Sequence, residues 1–399
     1  MDELNSPGPP SALAEHDGDN GEEHTESDAL FPAGLIQAYR RRLRIDEHTA
    51  LEPTKETLSL LVERHLEYIP FTNLNLHVTT TPEASSTSVE HENEAHGKTK
   101  NSPILLEPIE ALMEKVLLHG RGGCCLELNG LFAVFLEALG FRVWKVPCFV
   151  YAGSERGHVS SKSKFRTTAS HFLLLVQEVA PVQTNRSSSP PVSLFVVDVG
   201  LGEPPMGPLE YVLDRVQQTA EGMQSRIILD PQGSFTDRHG RNRTCVILQW
   251  KVSRTGGFQC KDDEDTTKND FVWEHRLQWD LADAPLWDLT TEDVQHQTTT
   301  QRRSLQSFDY VIPILMHKKS TFARKLIVCK LTRSLKLSLS GHTIKRTNRQ
   351  TGEIEIQQVE KDSVSLFLED EFSIQMSPSE TIVPAALDQD ANAKLWGHL

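Results

Sequence analysis

The segment Gly120-Arg121-Gly122-Gly123-Cys124-Cys125-Leu126-Glu127-Leu128-Asn129 constrains this chain more than any other. Its glycines permit a tight turn. The apolar residues after it, Leu128, Leu131, Phe132, Phe135, Leu136 and Leu139, keep the i, i+3, i+4, i+7, i+8 spacing of an amphipathic helix. Gly140 then reads as the stop signal. The spacing therefore predicts a turn, then a helix that packs on a core, with a cysteine pair where the helix begins. A cysteine in a first helical turn meets unpaired backbone N–H groups and the positive end of the helix dipole. Both favour the thiolate, which is the nucleophilic form. The same residues also read as a glycine turn feeding a core helix with two buried free thiols, and the segment alone does not choose.

Two further runs bear on that choice. His171 opens His171-Phe172-Leu173-Leu174-Leu175-Val176, and Asp198 interrupts Phe195-Val196-Val197-Asp198-Val199-Gly200. Both are short, apolar and bounded by turn-forming residues, as buried strands are. A carboxylate inside such a strand needs a partner, because burying it bare is costly. A histidine on a neighbouring strand would serve. Cysteine, histidine and aspartate then supply a nucleophile, a base and a group that orients the base. Singly, His171 also reads as a satisfied strand-end histidine, and Asp198 as a turn or ion-pair residue.

The combination resembles the arylamine N-acetyltransferase family. Its Arg-Gly-Gly-X-Cys-X-Glu-X-Asn stretch is similar to Arg121–Asn129, and Asp-Val-Gly-X-Gly to Asp198-Val199-Gly200-Leu201-Gly202. The resemblance extends to Ile69-Pro70-Phe71-Thr72-Asn73-Leu74, Leu139-Gly140-Phe141, Gly207-Pro208-Leu209 and Ser320-Thr321-Phe322, covering roughly residues 33–350 with gaps. The chain departs from the family at Thr72, where a Glu is usual, and at Leu201, where an aromatic is common. The Cys-to-His and His-to-Asp separations are longer than usual; the polar loop Gln183–Pro191 accounts for the second. Closing a longer loop costs little, so the triad can survive it. The motif selects Cys125 as nucleophile and leaves Cys124 in a variable position, as a small packing residue.

The resemblance implies an α+β fold: an N-terminal helical bundle, a central β-barrel and a C-terminal α/β lid, with a Cys125-His171-Asp198 triad like that of cysteine proteases. It implies acyl transfer by double displacement from acetyl-CoA or another short acyl-CoA, malonyl-CoA among them, to an arylamine, arylhydrazine or arylhydroxylamine nitrogen. No tightly bound cofactor and no metal are expected. Thr167, Thr168, Gly200, Gly202, Lys319, Ser320 and Thr321 are the expected acyl-CoA contacts, and Phe71, Ser170 and Leu201 the expected acceptor contacts. The basic stretch His317–Lys325 is the candidate for the CoA phosphates; it reads equally as a solvated patch. A Cys-His-Asp amidase or peptidase, or an amide synthase of natural-product assembly on the same fold, would use the same chemistry. A non-enzymatic interaction protein is a third reading.

Composition fits a multi-part enzyme. The 399 residues are ample for a sizeable core. The net charge is −14, but residues 1–30 hold nine acidic residues and no Lys or Arg, which reads as a disordered acidic tail. The remaining body is only mildly acidic, without a basic nucleic-acid signal. The six cysteines are irregularly spaced, unlike a disulfide framework or a zinc site. No signal peptide and no apolar run long enough to span a bilayer is seen, so a cytoplasmic protein with no membrane partner is expected.

Residues 31–140 read as helical and 141–290 as β-rich; 291–399 read as mixed. One helix begins at Leu35–Tyr39. A second runs from Thr54 to Tyr68 with Leu58, Leu61, Val62, His65 and Leu66 inward, and a third starts with Pro108 in its first turn. Strands are expected at Phe141–Val150, Phe172–Val176, Leu194–Val199, Ile227–Leu229, Cys245–Val252, Leu335–Ser340 and Gly352–Val359. Thr79–Ser102 and Arg254–Asn269 read as polar insertions.

Overall fold

The computed structural model describes residues 26–80, 104–151, 165–166, 168–178, 193–231, 235–236, 242–253, 271–284 and 303–388. Residues 1–25, the stretch 81–103, the loop Gln183–Pro191, the insertion Arg254–Asn269, Thr167 and Cys260 lie outside the described residues.

Four helices build the N-terminal part: α1 (Glu26–Arg42), α2 (Lys55–Tyr68), α3 (Ile109–Met113) and α4 (Cys125–Ala138). α1 begins within the stretch read as acidic tail. At α2 the Thr54 hydroxyl accepts from the Thr57 N–H at 3.3 Å, capping the helix. The inward face is Leu58, Leu61, Val62, His65 and Leu66, as the periodicity predicts. Pro108 sits one residue ahead of its expected place, at the N-cap of α3, which runs on into a π-helical turn at Glu114–Leu118. α4 ends in a Schellman turn: Phe141 N–H reaches Leu136 O and Gly140 N–H reaches Glu137 O, both at 3.0 Å, with Gly140 at φ 92°. α4 is buried nearly all round, Glu127 and Asn129 included, so it is the central helix of the core rather than a one-faced surface helix.

The strands are β1 (Phe71–Thr72), β2 (Val78–Thr80), β3 (Arg142–Val150), β4 (His171–Gln177), β5 (Leu194–Val197), β6 (Leu209–Glu210), β7 (Gln217–Gln218), β8 (Gln224–Leu229), β9 (Phe235–Thr236), β10 (Asn242–Arg243), β11 (Cys245–Ser253), β12 (Phe271–Asp280), β13 (Ile327–Leu331), β14 (Leu335–Ser340), β15 (Thr343–Asn348), β16 (Ile354–Gln358) and β17 (Glu380–Ile382). Eight of them form an antiparallel sheet in the order β6-β5-β4-β3-β12-β11-β8-β7. Just after β6 the chain returns to β8, where Asp214 N–H bonds to Ile227 O at 2.8 Å. The sheet is therefore a nearly closed barrel.

β4 explains the position of the site. Phe172, Leu174 and Val176 join the core around α4, while Leu173 and Leu175 join the barrel core with Trp250 and Trp279. A strand covered on both faces needs an unbroken apolar run, not an alternating one, and Phe172 to Val176 is such a run. β4 is thus sandwiched between α4 and the barrel interior.

A second antiparallel sheet runs β1-β13-β14-β15-β16, with the helix Val364–Phe372 packed on Leu337, Leu339 and Ile344. Phe71 pairs with Cys329, and β2 pairs with β17. Strands from before α4 are therefore built into the C-terminal sheets. No helix among the described residues is long and apolar enough to cross a membrane. Nor is any group of three or more His, Cys, Asp and Glu side chains among them placed to hold a metal ion.

Candidate active site

Cys125 is the first residue of α4 and Cys124 its N-cap, in extended conformation at φ −80°, ψ 175°. The preceding turn needs its glycine: Gly122 has φ 66°, and a Cβ there would lie 2.1 Å from Pro70 O. The cap is a capping box in which cysteine stands where Ser or Thr is usual. Glu127 accepts from the Cys124 N–H at 2.9 Å. Its other oxygen takes the Lys115 ammonium at 2.6 Å and the Leu105 N–H at 2.8 Å. The start of the helix is thereby pinned from inside the core.

The structure brings His171 and Asp198 to this helix end. His171 Nε2 and Asp198 Oδ2 are 2.6 Å apart, both side chains almost fully buried. Asp198 Oδ1 accepts from the N–H groups of Gly200 (2.8 Å) and Leu201 (2.9 Å) and from Asn129 Nδ2 (3.1 Å). Both oxygens of this carboxylate have donors, which is how a buried charge is tolerated. Asn129 is the joint of the site. From α4 it also donates to Phe172 O on β4 (2.7 Å) and accepts from Val199 N–H after β5 (2.8 Å). One side chain thus sets the distance between the helix and both strands.

The electrostatics come from these partners. The neighbouring Cys124 and the charge of His171 bring the Cys125 pKa down to about 6 against the opposing effect of burial. Burial disfavours a charged His171, but the Asp198 carboxylate and the Cys125 sulfur outweigh it and raise the imidazole to about 10. Both directions favour a thiolate beside an imidazolium. Cys124 goes the other way: burial and the neighbouring Cys125 and Glu127 hold its thiol protonated.

Other expected contacts find definite places. Gly200 lies against Cys125 itself, where a Cβ would come within 2.7 Å of Cys125 Cα and O. Its glycine answers to that close packing. The Gly202 carbonyl accepts from Cys329 Sγ at 3.1 Å. Ser170 is buried beside His171, its N–H on Cys148 O. Leu201 packs against the barrel core. Phe71 is buried, bridged to Gly123 and edge-on to Phe322. Thr72, where Glu is usual, caps the next turn by accepting from Leu74 N–H at 3.0 Å. Thr168 and Lys319 are exposed. Ser320 is occupied as an N-cap, accepting from Phe322 N–H at 3.2 Å ahead of Thr321.

Two clamps were not visible in the sequence. Arg121 grips Glu380 with both guanidinium arms at 2.8 and 3.0 Å and donates to Gln375 O at 3.1 Å. The glycine turn is thereby fastened to the C-terminal segment. Glu203, just past the Asp198 loop, meets Lys336 at 2.9 Å and Arg349 at 3.4 Å. Burial would raise the Glu203 carboxyl, but these two cations hold it well below the usual carboxylate range. The arginine motif hints at the first clamp, but neither partner can be guessed from local patterns. Asn129 had a detectable signal: an amide among positions that periodicity makes buried.

The chain aligns with known proteins accordingly. A family model described as N-acetyltransferase matches residues 54–381. The arylamine N-acetyltransferase of Mycobacterium tuberculosis is 32% identical over 105 residues, 25% of this chain and 28% of that protein. Arylamine N-acetyltransferase 1 of Felis catus is 26% identical over 147 residues, 37% of this chain and 41% of that protein. The matched stretches thus span less than half the length of these curated relatives. Among solved structures, the arylamine N-acetyltransferase of Nocardia farcinica has a TM-score of 0.56 at 20% identity, covering 91% of this chain and 96% of that one. The Mycobacterium marinum arylamine N-acetyltransferase in complex with CoA has a TM-score of 0.52 at 21% identity, covering 85% and 92%. These structures attest the shared fold. With a family match that runs through both site motifs and most of the sequence, the chain belongs to the arylamine N-acetyltransferase family.

Proposed function

We propose that this protein transfers an acetyl or other short acyl group from acyl-CoA to the nitrogen of an arylamine, arylhydrazine or arylhydroxylamine, through a thioester on Cys125. The observation that carries the proposal is Cys125 at the head of α4, beside a His171 whose Nε2 is fixed 2.6 Å from Asp198. The Cys125 thiolate attacks the thioester carbonyl of the donor. His171, as imidazolium, gives its proton to the departing CoA sulfur, leaving acyl-Cys125 and neutral imidazole. The acceptor nitrogen then attacks the acyl carbonyl. His171 takes a proton from that nitrogen, the Cys125 thiolate departs, and the starting ion pair is restored. The first-turn N–H groups of α4 have no acceptor within the helix, which makes them the oxyanion donors in this scheme.

The CoA found with the M. marinum relative supports an acyl-CoA donor here. We assign the exposed Thr168 and Lys319 to its approach, with Thr167 and Thr321 nearby in sequence and Gly202 on the loop after Asp198, and Phe71, Ser170 and Leu201 to the acceptor side. The experiment is intact mass after brief exposure to acetyl-CoA and to malonyl-CoA, wild type beside Cys125→Ala, without acceptor. The expected result is a single acyl increment, absent in the variant and discharged by an arylamine. A reactive Cys125 that gains no increment from any short acyl-CoA would overturn the proposal and point to a hydrolase or amide synthase.

A further inference from the structure

Asn73 follows β1, is 3% exposed, and bonds at both ends of its amide to residues far along the chain. Its Nδ2 donates to Phe322 O at 2.6 Å and to Lys325 O at 2.8 Å, at the end of the short helix Thr321–Arg324. Carbonyls at a helix end have no donor within their own helix, so these two depend on the amide. Its Oδ1 accepts from the Ile327 N–H at 2.7 Å, and its own N–H reaches Ile327 O at 3.2 Å. A backbone N–H can only donate, so this contact fixes which end of the amide is oxygen. Both amide hydrogens then go to the two carbonyls. His77 Nε2, 3.1 Å from both Asn73 Nδ2 and Phe322 O, donates to the carbonyl.

The near side of Asn73 leads to the head of α4. Thr72 N–H donates to Gly123 O at 2.8 Å and Gly123 N–H to Pro70 O at 3.3 Å, and Gly123 lies two residues before Cys125. Phe71 meets Phe322 edge-on, with ring centroids 6.1 Å apart. The far side of Asn73 holds a segment that carries the exposed cations Lys318, Lys319 and Arg324. We propose that Asn73 is a positioning residue for the acyl donor, its amide holding the Lys318–Lys325 segment at a set distance from Cys125. The inference rests on the proposed function, which takes an acyl-CoA as donor. The phosphates of CoA suit exposed cations, while the thioester at its other end must meet Cys125. If the segment shifts, the donor can satisfy one end only at the expense of the other. The reactivity of the thiol itself, set by His171 and Asp198, is untouched.

The test separates the two ends of the donor. Intact mass after rapid quenching gives the rate of Cys125 acylation by acetyl-CoA and by S-acetyl-N-acetylcysteamine, a thioester without the nucleotide. Wild type and Asn73→Ala are compared. The variant is expected to lose roughly 10- to 100-fold in second-order rate with acetyl-CoA, and about twofold at most with the short thioester. If the alanine variant does not fold, Asn73→Ser, whose shorter arm cannot span both carbonyls, takes its place. Equal falls with the two donors would overturn the proposal, since they mark damage to the site as a whole, as would no fall with either. Those outcomes leave the transferase reading standing, because the wild type is still acylated by acetyl-CoA. A wild type acylated by the short thioester but by no acyl-CoA would bring down the proposed function, and this inference with it.

Discussion

Two histidines in this protein are equally buried and behave in opposite ways. His65, on α2, is fully enclosed between Tyr39 and Phe132, and neither ring nitrogen has a partner among the described residues. Burial, with Arg42 nearby, pushes it down to about 3. His171 is 2% exposed, yet it is raised to about 10 because Asp198 and Cys125 outweigh the same desolvation. Removal from water therefore does not decide the state of a histidine. The deciding factor is whether a satisfied carboxylate stands beside it. In the α2 region the neutral ring is one more core side chain, whereas at the head of α4 the charged ring is half of an ion pair.

The most direct way to break the contrast is Asp198→Asn. It keeps the shape and removes the charge, so His171 should come to resemble His65 and lose its proton in the neutral range. Acyl transfer should fall by ~10³–10⁴, as expected when the orienting carboxylate of such a triad is lost. NMR titration of His171 and kcat/KM would check both halves. In the intact protein the pH–rate profile should rise near pH 6 as the ion pair forms and fall near pH 10 as the imidazolium is lost. Those limits belong to the pair rather than to either residue.

The next effect is on stability. Unfolded His65 takes up a proton near pH 6.5, but the folded protein resists until about pH 3. The unfolded state binds more protons across that window, so stability present at neutral pH drains away as pH falls, by up to roughly 5 kcal/mol. His65→Leu should abolish this acid loss and add about 1–3 kcal/mol at pH 7 by removing two unpaired polar atoms from the core. Urea melts at pH 7 and pH 5 would show it; an unchanged pH dependence would mean that the ring is solvated. The smallest expected effect sharpens the comparison from the other side. Asn129→Ala leaves Asp198 its charge but removes one donor and the link between α4, β4 and β5. Activity should fall roughly 10- to 100-fold, the cost of about 1–3 kcal/mol from an unsatisfied buried group, measured as kcat/KM beside an unaltered circular dichroism spectrum.

How much of this was legible beforehand differs by element. The inward face of α2, the stop at Gly140 and the strands from β3 to β5 all came from local periodicity and turn chemistry. His171 and Asp198 stood out because charged residues inside apolar runs demand partners, and the resemblance to the family motif singled out Cys125 from Cys124. β12 did not stand out. Phe-Val-Trp-Glu-His-Arg-Leu-Gln-Trp-Asp mixes charges with aromatics, and a register shift between Leu248 and Gln249 on its partner strand disturbs the alternation. β1 and β13 were missed for another reason. Two residues at Phe71–Thr72 carry no strand signal of their own, and their partner Val328–Cys329 lies far along the chain. The same holds for Arg121 with Glu380: a pairing of distant residues leaves no local trace.

That long reach has a consequence for how the enzyme comes into being. The turn before Cys125 is finished only when Arg121 finds Glu380 and Phe71 pairs with Cys329. On a ribosome adding about 5–20 residues each second, Glu380 emerges some tens of seconds after the cysteine. Through that interval the nascent polypeptide carries Cys125 without the surroundings that complete the turn. The turn ahead of Cys125 is therefore among the last parts of the molecule to be completed, because its partners are among the last residues to be made.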